Sequence, residues 1–313
     1  MEAARSNFGP ASVYHDIRPQ FPKHVFERVL QHTRQTEDGL IHALDVGCGT
    51  GRAALTLAQE GCDSVIAADP DAEMLAVLAR AAGDANLDRR IRLMQRSGEC
   101  LEGIPSGSVN LITCFDSFHW MDRTKALREF SRVLRPRGLL AVAWNDLCAL
   151  ETINTRFRVP LPNRLWKGAF SSTGLFRCGE PEIIEHSYHC DPAALLSLCR
   201  TYRFGNLRPR PGQPGHLITS AGTHAFEHEE PAETLARELR LAHQEDACGK
   251  CDEDPTPIPL AYSTKLYLAR KISDAERSQS DSLAGRSSQR QHKKHLIRTV
   301  SRSAMRVFAK IAR

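Results

Sequence analysis

Long hydrophobic runs are missing from this chain of 313 residues: stretches such as Leu139–Trp144 are only six residues long, whereas a membrane span needs about 20. No transmembrane helix is expected. The opening residues, MEAARSNFGPASVYHD, have neither an apolar signal core nor the Arg-rich, acid-free pattern of a transit peptide, so a soluble cytoplasmic protein is expected. Internal repeats are also lacking. Ten cysteines are scattered through the chain, several in apolar, strand-like surroundings (Cys48, Cys100, Cys114), which excludes a disulfide framework and predicts reduced, buried thiols. The body of the chain also has no excess of positive charge. Between Ser273 and Arg313 ten Lys/Arg face three Asp/Glu, a balance of +7 against +5 for the whole, so residues 1–272 carry −2. That leaves the body without a nucleic-acid footprint and confines the basic character to the end of the chain.

What the chain does have is alternation. Strands are expected at Ile41–Val46, Ser64–Asp69, Ile91–Arg96, Val109–Phe115 and Leu139–Asn145, with helical patterns at Arg52–Glu60, Ala72–Ala82 and Lys125–Arg135. A helix before them is marked by Val25, Phe26, Val29 and Leu30. This rhythm predicts right-handed βαβ units, hence an α/β, doubly wound, mostly parallel sheet with ligands at the carboxyl ends of its strands. Past Asp146 the rhythm breaks. Leu161–Arg177 reads as irregular, Pro181–Cys190 as a strand, Asp191–Phe204 as a helix capped by Asp191, Gly205–Glu230 as a Pro/Gly/His-rich loop and Pro231–Glu245 as helical. IPLAYSTKLYLARK, residues 258–271, alternates as a closing strand.

The first strand runs into Gly47, Gly49 and Gly51. Glycines at a strand-to-helix turn admit φ > 0 and let a ligand approach the backbone. A dinucleotide fingerprint would need GxGxxG, and Arg52 breaks that spacing, which argues against NAD. Asp69 ends the second strand eighteen residues beyond Gly51, where a carboxylate can accept hydrogen bonds from both hydroxyls of a ribose. Asp45, two residues before the first glycine, suits a positively charged ligand and would repel a pyrophosphate.

LDVGCGTG, ADPDAEML, SGECL, SVNLITCFDSFHWMD and ALREFSRVLRPRGLLAVAWN, in that order, resemble the successive motifs of a class I S-adenosylmethionine-dependent methyltransferase. FHW, RVLRPxG and WN, with the N-terminal YHDIRPQFP, resemble the type-11 branch that includes the trans-aconitate methyltransferases. The resemblance is strong over residues 7–146 and implies a seven-stranded Rossmann-like sheet with S-adenosylmethionine as cofactor. It implies that Asp45, Gly47, Cys48, Gly49 and Gly51 hold the methionine end, that Asp69 holds the ribose, that Glu99 and Cys100 flank the adenine, and that Phe115 and Asp116 face the methyl. Two positions depart from the family pattern: Asn110 stands where an Asp is usual, and Arg137 replaces a glycine.

Methyl transfer requires alignment and exclusion of water more than a strong base, although a hydroxyl or amine acceptor must lose a proton. His119 is the first candidate base, with Asp116 beside it and His15 as a further one; a stacking histidine next to Trp120 is the structural alternative for His119. Tyr14, Arg18 and Trp120 are substrate candidates: Arg18 either clamps an anion or orders the N-terminal segment, and Trp120 either lines the pocket or packs. The domains expected are a cofactor core with a lid segment over 1–146, a variable cap over 147–257, a closing strand over 258–272 and a basic tail over 273–313 with an amphipathic helix near 293–312.

Cys248 and Cys251, with His243 and Glu245 close by, fall short of a zinc site, because a single CxxC lacks its other two ligands. No metal is expected. Without an NPPY-like motif after the fourth strand, no DNA partner is expected either. The leading expectation is a methyltransferase acting on a small molecule, with carboxylic acids as one acceptor class. The rivals are a protein or lipid methyltransferase recruited through weak contact of the basic tail with an anionic membrane or a protein, and a non-catalytic scaffold in which Trp120 or Phe170 fills the acceptor site.

Overall fold

The computed structural model describes residues 11–35, 39–148, 166–201, 216–219, 222–225, 233, 235–237, 239–241, 257–273 and 275–276. The CxxC segment and the amphipathic stretch 293–312 lie outside them. Contacts divide the chain into residues 1–271 and 272–313, and the fold below is that of the first unit.

Five parallel strands form its centre: β1 (His42–Val46), β2 (Ser64–Ala68), β3 (Ile91–Met94), β4 (Val109–Phe115) and β5 (Leu134–Leu147). β6 (Phe176–Cys178) and β7 (Glu182–Cys190) follow, β8 (His216–Thr219) and β9 (Gly222–Ala225) make a separate antiparallel pair, and β10 (Ile258–Lys271) closes the sheet. The order is β3-β2-β1-β4-β5-β10-β6, with β10 antiparallel to β5 and β7 also paired to β10. β7 pairs with β10 residues 258–266 and β6 with residues 269–271, so two short strands share one edge and the sheet has seven positions across.

Helices α1 (Ala11–Ile17), α2 (Lys23–Arg34), α3 (Arg52–Gln59), α4 (Ala72–Asp84) and α5 (Arg123–Val133) belong to the same half. α4 starts where the Asp71 carboxylate accepts the Glu73 and Met74 amides, and α5 where Asp122 accepts those of Thr124 and Lys125. Strand period sorts the core into two layers: Leu139, Ala141 and Ala143 join α2, α3 and α4, whereas Leu140, Val142 and Trp144 join α5. Asn110 is buried, accepting the His42 amide at 2.7 Å and donating to the Leu40 carbonyl at 2.9 Å, so an amide there ties down the entry to β1 in a way a carboxylate could not. Arg137 has φ 62°, in the bulged start of β5 where the register with β4 shifts.

Three expectations need correction. Within Leu161–Arg177 there is a helix, Trp166–Ser172, and the strand β6; Phe170 stacks on Phe118 at 5.5 Å and draws this segment into the core. The expected loop Gly205–Glu230 contains β8 and β9. Cys100 is exposed rather than buried, lying in a turn past β3, whereas Cys48 and Cys114 are buried thiols. Among the described residues no helix is long and apolar enough to cross a membrane.

Candidate functional site

The carboxyl ends of β1, β2 and β4 open onto a cavity of about 490 Å³, within the usual range for a small-molecule site. The turn after β1 builds its floor. Gly47 and Cys48 donate to the Ala68 carbonyl at 2.8 and 3.1 Å, which locks the turn to the end of β2. Gly47 has φ 65°, and a Cβ there would lie 2.5 Å from Ser117 Cβ; Gly51, at φ 85°, caps α3 so close to Leu78 that a Cβ would sit 2.0 Å from its Cδ1. Gly49 lines the cavity with nothing near its missing Cβ.

Two carboxylates frame this turn. Asp69 accepts the Gly49 amide through Oδ2 at 2.8 Å and the Asp71 amide through Oδ1 at 2.9 Å, so both oxygens are fixed by backbone while the residue lines the cavity. Burial pushes its pKa up against those two hydrogen bonds. Asp45 is 1% exposed. Its Oδ1 accepts the Thr113 hydroxyl at 2.7 Å, and its Oδ2 is buried without a hydrogen-bond partner. Burial, reinforced by the charge of Asp69, outweighs the Thr113 hydrogen bond and the nearby Ala54 amide, which makes no hydrogen bond of full geometry to Oδ2, and pushes its pKa to about 7.

At the end of β4, Phe115 packs against Phe21 at 4.8 Å and still touches the cavity. Asp116 follows in a left-handed conformation, φ 52°, an arrangement that non-glycine residues adopt chiefly at turns and functional sites. Its Oδ1 accepts the Asn145 amide at 3.1 Å, and burial raises its pKa to about 6 against the pull of Arg18, the Asn145 amide and Arg52. Glu99 lines the wall and accepts the Asp122 amide at 2.8 Å. Tyr14 and Arg18 reach in from α1 and the segment after it, with the Arg18 guanidinium 5.7 Å from the Tyr14 ring centre, and Trp120 stands 51% exposed at the rim.

Most of the residues selected from the sequence thus meet at one cavity. Four do not line it, among them His15, whose backbone carbonyl instead accepts from Arg52. Gly51 shapes the turn from behind, Cys100 is exposed beyond Glu99, and His119 is turned to Trp144, whose indole N–H donates to its Nδ1 at 3.1 Å, while its ring lies 4.6 Å from that of Trp120. This fixes His119 as an acceptor at Nδ1. Arg52 and Thr50, which no motif spacing singles out, also line the cavity. Arg52 had served only to break a glycine spacing; its guanidinium donates to the His15 carbonyl and so straps α1 to the start of α3. Thr50 Oγ1 is buried with no hydrogen-bond partner. Among the described residues no cluster of His, Cys, Asp and Glu could hold a metal.

Residues 44–142 match the sequence model of a family described as a methyltransferase domain. An uncharacterised methyltransferase of Mycobacterium tuberculosis is 34% identical over 140 residues, covering 44% of this chain and 52% of that protein. An uncharacterised methyltransferase of Schizosaccharomyces pombe is 33% identical over 134 residues, 42% of this chain and 49% of that one. A protein of Saccharomyces cerevisiae named "Probable S-adenosylmethionine-dependent methyltransferase CRG1" is 28% identical over 128 residues, 41% and 43% of the two chains. The chain spans about half the length of the curated relatives it matches. Among solved structures, the YcgJ protein from Bacillus subtilis aligns with a TM-score of 0.50 and 20% identity over 80% of this chain and 100% of that one. A candidate type II methyltransferase from Anaeromyxobacter dehalogenans gives 0.54 and 19% over 82% and 98%. Residues 44–142 are thus similar to a methyltransferase domain, and the fold is an α/β, Rossmann-like one shared with these structures.

Proposed function

We propose that this chain is an S-adenosylmethionine-dependent methyltransferase that methylates a small molecule by in-line transfer, with carboxylic acids as the first acceptor class to test. The observation that carries this reading is Asp45 Oδ2, a buried carboxylate oxygen at the cavity floor without a hydrogen-bond partner. An oxygen in that position is costly until a cationic group meets it, and S-adenosylmethionine carries both an ammonium and a sulfonium. The residues present fit this cofactor. The Gly47–Gly49 turn and Asp45 would hold the methionine end, Asp69 the ribose hydroxyls, and Glu99 the adenine side, with Cys100 exposed beyond it.

When bound, the cofactor supplies a methyl group on a positively charged sulfur, already activated for displacement. The chain then has to align the acceptor and exclude water, the work of Phe115, Phe21 and the Tyr14–Arg18 segment around the open end of β4. A carboxylate acceptor needs no base. For a hydroxyl or amine, Asp116 takes the departing proton; with a pKa near 6 it is mostly ionised at pH 7 and still basic enough to accept it. His119 orients Trp144 and Trp120 from outside the cavity.

An enzyme must leave the acceptor site open, whereas a scaffold can let Trp120 or Phe170 fill it. Phe170 is fully buried against Phe118 and Tyr267, and Trp120 stands half-exposed at the rim, which favours an enzyme. The test is incubation with methyl-tritiated S-adenosylmethionine and a panel of small acids, alcohols and amines, alongside protein extract and anionic vesicles. Label in the small-molecule fraction is expected; label only in protein or lipid would overturn the reading.

A further inference from the structure

A second cleft of about 390 Å³ lies beside the cofactor cavity, walled by residues 16–22 on one side and by His186, Ser187 and Tyr188 of β7 on the other. Arg18, Phe21 and Arg52 line both spaces, so these three side chains are the partition between them. We propose that this partition is an acceptor subsite, in which the anionic group of the substrate, a carboxylate or a phosphate, sits between Arg18 and Arg52 while its body lies in the second cleft and its nucleophile faces Asp116. That the anion belongs to a methyl acceptor rests on the methyltransferase reading above; its seat does not.

The charges explain the choice. Two guanidiniums face this partition, with Asp16 the single carboxylate among the described residues lining the second cleft. Arg52 is half-buried; that burial and the like charge of Arg18 lower its pKa, with Tyr14, Tyr188 and Asp16 pulling the other way. A carboxylate or phosphate can accept from both guanidiniums at once, which relieves the repulsion between them. His186 on the opposite wall is held neutral by burial and by His24, and its Nε2 is engaged with Asn145 Oδ1 at 2.8 Å, so it adds no competing charge. Phe21 and Tyr188 supply the faces for an apolar body.

The seat also lies next to the proposed base. Arg18 and Arg52 both depress the proton affinity of Asp116. An anion between them offsets that pull, so the substrate itself would make Asp116 a better base as it binds.

Three probes of one shape test the subsite: phenylacetate, phenyl phosphate and the neutral phenylacetamide, each titrated calorimetrically into the full chain at saturating S-adenosylhomocysteine. At least one anion is expected to bind about tenfold or more tightly than the amide, and which anion does so tells carboxylate from phosphate. Arg18→Gln should erase that preference. Arg52→Gln should do the same, and Arg18→Gln remains decisive if loss of the strap to His15 unfolds the other variant. Equal binding of anions and amide by the wild-type chain, or an unchanged preference in Arg18→Gln, would overturn the proposal. S-adenosylhomocysteine is titrated on its own first; its failure to bind would remove the cofactor reading, and the anion preference, then measured without it, would still decide the subsite.

Discussion

Replacing Asp45 by asparagine should stabilise the ligand-free protein at alkaline pH while it cripples cofactor binding. The carboxyl sits at about 7 in the folded chain against 3.8 for the ordinary group, because burial opposes its ionisation. Between those values the folded state holds a proton that the unfolded chain has lost, so stability declines as pH rises through the window. The full span is about 3 pH units, or roughly 4 kcal/mol at about 1.36 kcal/mol per unit, of which roughly 2 to 3 kcal/mol falls between pH 5 and 8. Asparagine keeps an acceptor for the Thr113 hydroxyl and leaves an N–H where the protonated acid leaves an O–H, so near pH 5 the two proteins should match within about 1 kcal/mol. At pH 8 the variant should be the more stable by roughly 2 to 3 kcal/mol. Urea unfolding of both proteins from pH 5 to 8 reads the difference directly. A gap that stays constant across that range would refute the claim that Asp45 is a strained, buried carboxylate.

Asp69→Ala should weaken S-adenosylmethionine by about 1 to 3 kcal/mol, measured by calorimetry, because the ribose loses its acceptor and the Gly49 amide loses its anchor. Gly51→Ala should destabilise the fold by roughly 2 to 4 kcal/mol in urea titrations, since a Cβ at φ 85° would collide with Leu78. With a hydroxyl or amine acceptor, kcat/KM should rise with pH through about 6 as Asp116 ionises in the free enzyme, and Asp116→Asn should lower kcat about 100-fold and abolish that limb; a limb that persists in the variant would assign it to another group.

The sequence was most informative where one residue type serves one physical need. Val109–Phe115 emerged with its predicted ends because five of its seven residues are apolar and all seven are buried, on both faces. Asp69 and the glycine turn were readable because a fixed carboxylate and missing Cβ atoms leave a trace in spacing alone. The helix Trp166–Ser172 was not, since seven residues are too few for a periodic signal and its packing comes from contacts far along the chain, Phe170 on Phe118 and Tyr267. His119 ranked first as a base from its place after β4, but a tertiary partner, the Trp144 indole 25 positions later, turns it away from the cavity. Arg52 was missed for a related reason. Its importance comes from the cleft beside β7, a strand that meets α1 and α3 only once the chain has folded back.

The central claim, that the cavity at the ends of β1, β2 and β4 is built for S-adenosylmethionine, is tested most directly by calorimetric titration of the full chain with S-adenosylmethionine, S-adenosylhomocysteine and NAD. Saturable binding of the first two, lost in Asp45→Asn, with no heat from NAD, is the result this account predicts. Binding of NAD, or binding of none of the three, would contradict it.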